Sequence, residues 1–152
     1  MAQQRITASS LIQAPARQVY AIIADYRNGH PRILPKPYFV ALSVEEGGIG
    51  AGTVVTFQMK VAGSLRTFHS VITEPEPGRV LVETDSSAGT VTTFTVDPRD
   101  NGQQAHVTIT TDTEVRDGVF GKMQGWMPER LLRPIYVKEL EQLAAVATSQ
   151  AA

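Results

Sequence analysis

Apolar positions along the chain follow two periods. From Tyr38 to about Arg116 they recur at every second residue, in runs rich in valine, threonine and phenylalanine. This predicts strands over Tyr38–Glu45, Thr53–Ala62, Leu65–Thr73, Arg79–Thr84, Thr90–Val96 and Ala105–Val115. The separators "EEGGIGAG", "GS", "EPEPG", "SSAG" and "DPRDNG" carry turn chemistry. Connections this short make neighbouring strands antiparallel, because a parallel crossover needs about a dozen residues. Upstream, Arg5 to Gln13 alternates loosely, with Ile6, Ala8, Ser10 and Ile12 on one face, and adds a further strand. In "APARQVYAIIADY" Pro15 suits a first helical turn, and Val19, Ile22, Ile23 and Tyr26 recur at helical spacing. Gly29 and Pro31 punctuate that helix, and another turn of helix is expected through Arg32 to Leu34.

The "GS" turn sets a register. With Gly63 and Ser64 at the centre of a tight hairpin, Val61 faces Arg66, Met59 faces Phe68 and Phe57 faces Ser70. Phe57, Met59, Phe68 and Ile72 then share one face of the sheet, and Gln58, Lys60 and His69 the other, unless a bulge turns His69 inward. Helical spacing returns from about Val119 to Thr148, a rod of about 45 Å. Phe120, Met123, Met127 and Leu131 form one apolar series there. Tyr136, Leu140, Leu143 and Ala147 form a second, rotated round the axis. The series meet at Pro134, where a bend is expected. Alternatively Pro128 begins the helix, and Val119–Met127 is a separate turn.

Composition narrows the chemistry. The 152 residues fit one domain, and 42% apolar with 19% charged residues suits a chain that builds a core. A net charge of −1 argues against nucleic acid as a partner. The lack of cysteine excludes disulfides, zinc-thiolate sites and thiol nucleophiles. The N-terminal stretch has no secretory pattern, and no apolar run reaches the ~18 residues of a membrane span, so the expectation is a cytoplasmic protein without an integral membrane segment.

One strand, one or two short helices, six antiparallel strands and a long helix make an α+β order. The layer solution is a curved antiparallel sheet of about seven strands with the long helix in its concave side. The stretches "SLIQAPARQVYAIIADYRNGHPRILP", "GAGTVVTFQMKVAG", "VITEPEPGRVLVE" and "RPIYVKELEQLAAVA" stand in an order and spacing that resemble the START-like, or SRPBCC, superfamily. The resemblance covers nearly the whole chain and points to its polyketide cyclase/dehydrase-like branch. It implies a helix-grip fold and a single ligand-binding domain over residues 1–152. It also implies a cavity between sheet and helix, opening near the short helices and the start of the long one. The Pro128–Pro134 stretch would lie over that opening, with Tyr136–Ala147 as ordinary core. One departure stands out: His30 and Ile33 occupy the short helix where many relatives carry aromatic residues.

Candidate chemistry is sparse. His30, His69 and His106 lack a metal-ligand spacing, so no metal and no cofactor is expected. His106 should face solvent if Val107 and Ile109 face in. The resemblance puts His30 near the mouth, in position to move a proton; a solvated loop histidine is the simpler reading. Asp112 and Glu114 alternate with inward threonines and read as an outer acidic edge, and Asp25 reads as structural. Arg66 would anchor an anionic group if it points inward near the hairpin tip, while water is the simpler partner. Arg130 lies on the side of Trp126 and Met127, where it lines the entrance or snorkels into solvent. Met123, Trp126 and Met127 read equally as plain core and as an adaptable pocket wall. Thr90, Thr92, Thr111 and Thr113 would make an inward face partly polar, although β propensity alone accounts for them.

The first functional expectation is a binding module for a small hydrophobic or aromatic molecule (lipid-, polyketide- or quinone-like). Its wall would be Phe57, Met59, Phe68, Phe94, Ile109, Met123, Trp126 and Met127, with Arg130 at the entrance and Tyr26 and His30 at the mouth. The second is a polyketide cyclase/dehydratase-type enzyme using the same cavity, with His30, Arg66 and His69 as catalytic candidates. The third, allowed by the resemblance, is a partner-binding accessory protein. Monomer and homodimer both remain open.

Overall fold

The alternating region forms a seven-stranded antiparallel sheet in the order β1-β7-β6-β5-β4-β3-β2 in the computed structural model, which describes residues 2–115 and 129–151. The strands are β1 (Ala2–Ile12), β2 (Phe39–Glu46), β3 (Val54–Val61), β4 (Ser64–Glu76), β5 (Val80–Asp85), β6 (Thr90–Arg99) and β7 (Gln104–Val115). From β2 to β7 each strand pairs with its successor, as the short turns require. The first strand instead joins the last, from Ala2↔Val115 to Ile12↔Ala105. β1 and β2 therefore stand at opposite edges. The segment between them, helix α1 (Ala16–Ala24) and a 3-10 turn (His30–Arg32), has to cross from one edge to the other. Helix α2 (Glu129–Ala151) packs against β1 and α1. This is the expected α+β helix-grip arrangement with a curved sheet.

One face of the sheet is buried. Ile6 and Ile12, Val55, Ile72, Leu81, Phe94, Val107 and Ile109 all alternate with more exposed neighbours and meet Val19, Ile22 and Ile23 of α1. Each such side chain contributes about 1.5–3 kcal/mol when fully buried. On α2 the inward stripe is Leu132, Ile135, Tyr136, Glu139, Leu140, Leu143 and Ala147, at helical spacing. The stripe runs straight past Pro134, which is exposed inside the helix. Leu131 is exposed and Leu132 takes the inward position, so the described part of α2 presents one face rather than two. Phe120, Met123, Trp126, Met127 and Pro128 lie outside the described residues, as does the question of where the helix begins.

Two local expectations are corrected. The 3-10 turn lies at His30–Arg32, ahead of Arg32–Leu34, because the Ile33 N–H already closes onto the His30 carbonyl. The β3–β4 hairpin turns on Ala62 and Gly63, not on Gly63 and Ser64. Both have positive φ, 51° and 82°, the condition of a type I′ turn, whose twist matches that of the strands. Val61 therefore faces Ser64, Met59 faces Arg66 and Phe57 faces Phe68. The slip is two residues, so every side chain keeps its predicted face. His69 is exposed on the outer face, its Nδ1 2.9 Å from Thr56 Oγ1.

Ala62 is the strained member of this turn, since a side chain with Cβ disfavours the left-handed region and asparagine tolerates it. Replacing Ala62 by Asn is expected to raise unfolding free energy by about 0.5–1 kcal/mol in urea denaturation. A loss of stability would contradict the turn assignment.

Candidate functional site

The site begins where α1 ends. Asp25 leaves the helical region (φ −90°, ψ 94°). Its Oδ1 accepts the N–H of Arg27 at 3.1 Å and of Asn28 at 3.0 Å, the structural role expected of it. Its carbonyl accepts the N–H of Gly29 at 2.9 Å and of His30 at 2.7 Å. The chain thereby doubles back onto α1, and only glycine fits at the closest point: a Cβ on Gly29 would lie 2.4 Å from the Ile22 carbonyl oxygen.

This fold-back buries His30, which is 3% exposed, so the solvated-loop reading is overturned. Its Nδ1 lies 2.7 Å from the Ile23 carbonyl oxygen. A carbonyl only accepts, so Nδ1 carries a proton and Nε2 is the nitrogen turned toward the pocket. The ring stacks on Tyr26 at 4.3 Å and meets the edge of Phe94 at 5.5 Å.

Beneath these rings is a carboxylate that the sequence pattern did not single out. Glu83 projects from β5 on the face of Leu81. The Tyr26 hydroxyl donates to its Oε2 at 2.6 Å, and His30 Nε2 stands 3.7 Å from the same oxygen. That second distance is an ion-pair separation rather than a hydrogen bond. Across the pocket Glu139, also 3% exposed, projects from the inward stripe of α2. Burial, then the charge of Glu83, pushes the Glu139 carboxyl well above the usual carboxylate range. Burial and Glu83 likewise push the Tyr26 phenol well above its ordinary value. Tyr136 is raised mainly by burial; its hydroxyl bonds Thr111 Oγ1, which is 2.8 Å from Thr92 Oγ1.

Together these groups line a pocket between the sheet and α2. Its apolar wall is Leu34, Phe39, Leu42, Phe57, Met59, Phe68, Phe94 and Leu132. Phe57 stacks on Phe68 at 5.0 Å and tilts against Phe39 at 5.9 Å. The polar groups are Tyr26, His30, Ser70, Glu83, Thr90, Thr92, Tyr136 and Glu139. Side chains narrow the pocket to a slot of about 40 Å³ that opens to solvent. No lysine or arginine appears among the described lining residues.

Of the residues singled out from the sequence, Tyr26, His30, Phe57, Met59, Phe68 and Phe94 meet in this pocket. Ile109 is buried in the core instead of the wall. Arg130 is exposed, in an outer groove of α2 with Arg133 and Glu141. Arg66 is half-buried opposite Met59 and stands outside the wall. Met123, Trp126 and Met127 lie outside the described residues. Asp112 pairs with Arg5 at 2.7 Å on the outer face, and His106 is half-buried. Thr90, Thr111 and Thr113 are buried and Thr92 lines the pocket, and among the described residues Thr113 Oγ1 has no hydrogen-bond partner. Glu83 and Glu139 did leave a signal: each is an acid at an inward position, one in the alternation of β5 and one in the stripe of α2.

Among the described residues no cluster of histidine and carboxylate side chains is placed to hold a metal, and no helix is long and apolar enough to cross a membrane. Residues 3–148 match the family described as polyketide cyclase / dehydrase and lipid transport. The solution structure of the KanY protein is similar at 28% identity over 97% of this chain and 99% of that one, with a TM-score of 0.82. The Zhui aromatase/cyclase from Streptomyces sp. R1128 shares the fold at 17% identity and a TM-score of 0.76, over 99% of this chain and 97% of that one. A START superfamily protein from Mycobacterium smegmatis does so at 13% identity and 0.68, over 96% and 98%. No curated protein matches the sequence at a significant level.

The raised Glu139 carboxyl has a consequence for stability. Between about pH 4.5 and its folded-state value the native state holds a proton that the unfolded chain has lost. Stability is therefore fully present at low pH and falls as pH rises through that window, by up to about 1.4 kcal/mol per pH unit. Glu139→Gln is expected to remove this slope, so that in urea denaturation the variant gains on the parent from pH 5 to pH 8. Parallel pH profiles would contradict the assignment.

Proposed function

The chain belongs to the polyketide cyclase/dehydrase and lipid transport family, within the START-like superfamily, and on that premise we propose that it binds a small, mainly apolar or aromatic molecule between the sheet and α2. In this reading residues 1–152 are one ligand-binding domain working in the cytoplasm. The observation that carries the proposal is the composition of the pocket wall. A cluster of phenylalanines with Met59 and three leucines is broken by a few convergent polar groups, the usual make-up of a small-molecule site. Apolar area buried on the ligand contributes about 25 cal/mol per Å², reduced by the costs of association and of ordering the wall. The unbranched Met59 and the half-buried Phe57 are the side chains best able to adjust, which suits a slot that widens around its occupant.

A second reading, cyclase/dehydratase chemistry on a poly-carbonyl chain, is favoured by the acid–base groups of the same pocket. A neutral Glu139 would hydrogen-bond a ligand carbonyl oxygen and give it a proton as the new carbon–carbon bond forms. Glu83, steadied by Tyr26 and His30, would accept the proton lost from the attacking carbon. His30 is the one catalytic candidate from the sequence that supports this reading from within the pocket.

Replacing Phe57 by Ala is expected to weaken binding of an environment-sensitive naphthyl fluorophore by roughly tenfold, about 1.4 kcal/mol. Val71→Ala, on the exposed face of β4, should leave that affinity as it was. Equal affinity for the parent and a folded Phe57 variant would remove the pocket from consideration.

A further inference from the structure

The two carboxyl groups are more than a hydrophobic binding site requires. Burying an acid in an apolar wall is unfavourable unless something pairs with it. Here Glu83 comes from β5 and Glu139 from α2, and both face one slot. Among the described lining residues the only basic group is His30, whose Nε2 stays beyond hydrogen-bond distance of Glu83. The hydrogen bonds among the described residues engage one oxygen of the pair, Glu83 Oε2. Three hydroxyls on the other wall, those of Thr92, Thr111 and Tyr136, are turned to each other.

Consider what each ligand type would meet. A carboxylate, phosphate or sulfate would face two acids and no described lysine or arginine. A hydroxyl would satisfy one acceptor. An ammonium group has several donors and no acceptor, which matches the Glu83 carboxylate and, once Glu139 has given up its proton, a second acceptor-only group. The faces of Tyr26, Phe57 and Phe68 would add attraction for a cation and a surface for an aromatic body.

Resting on the pocket proposed above, we infer that its ligand is an amine: a protonated primary or secondary ammonium on an aromatic or apolar body, held between Glu83 and Glu139. The occupant exchanges a proton with the site. Glu139 faces Glu83 from β5, Tyr26 and His30 from the segment after α1, and Tyr136 from its own helix. With the pocket empty, burial and Glu83 hold Glu139 toward its neutral form. A positive charge beside it reverses that balance, and its proton leaves to solvent as the amine enters.

The test uses 1-naphthylmethylamine and its neutral counterpart 1-naphthalenemethanol, which share one ring system. Each is titrated into the full chain by calorimetry at pH 7, in phosphate and in Tris, whose ionisation enthalpies differ. The amine is expected to bind at least about tenfold tighter than the alcohol, with net proton release visible as a buffer-dependent heat. In Glu139→Gln the affinity ratio should move toward unity and the buffer dependence should vanish. Alcohol binding equal to or tighter than amine binding overturns the inference and leaves the pocket standing. An amine preference unchanged in Glu139→Gln overturns the assignment to the acid pair. Binding of neither probe overturns both the inference and the pocket on which it rests.

Discussion

Glu83 accepts the Tyr26 hydroxyl at 2.6 Å beneath the stacked ring of His30, and the rest of the site is organised around that carboxylate. A hydrogen bond to a charged group contributes about 1.5–3 kcal/mol, against a desolvation cost of several kcal/mol for the ion it serves. Across the slot, burial first and then the charge of Glu83 hold the Glu139 carboxyl toward the neutral form. One buried charge thus links the middle of the sheet, the turn after α1 and the C-terminal helix.

The fold supplies these three elements because its first and second strands stand at opposite edges. The connection between them must cross the concave face. The tight turn closed by Asp25 and Gly29 is what delivers Tyr26 and His30 to it. Strand alternation then decides which residues reach the slot. Leu81 and Glu83 point in, as do Phe57 and Met59 beside Phe68 and Ser70. On α2 the helical repeat brings Leu132, Tyr136 and Glu139 to one face. The apolar members make the slot suit an apolar body. The acids decide the polar end of whatever enters.

Much of this architecture is legible in the sequence, because both periods are strong and the turn residues are unambiguous. The hairpin register differs by two residues from the expected one because "AGS" contains two possible two-residue turns, Ala62–Gly63 and Gly63–Ser64. The chain instead puts Gly63 second and bears the strain at Ala62. Period-two geometry made that error harmless for the pocket, since Phe57, Met59 and Phe68 kept their face. His30 was harder to place. Nothing in "RNGHP" marks a histidine as buried; the burial comes from Gly29 packing against the Ile22 carbonyl, a long-range consequence of a local turn. Glu83 and Glu139 look ordinary in composition and become unusual only when laid on the inward face with their apolar neighbours.

The account stands on Glu139 being a buried acid held neutral by its surroundings. Carboxyl-carbon NMR of the protein labelled at glutamate side chains measures this directly, with Glu139 assigned by its disappearance in Glu139→Gln. The expected result is a signal at the neutral-acid shift that stays there well above pH 4.5. A Glu139 signal that moves to the carboxylate shift around pH 4.5 would contradict it.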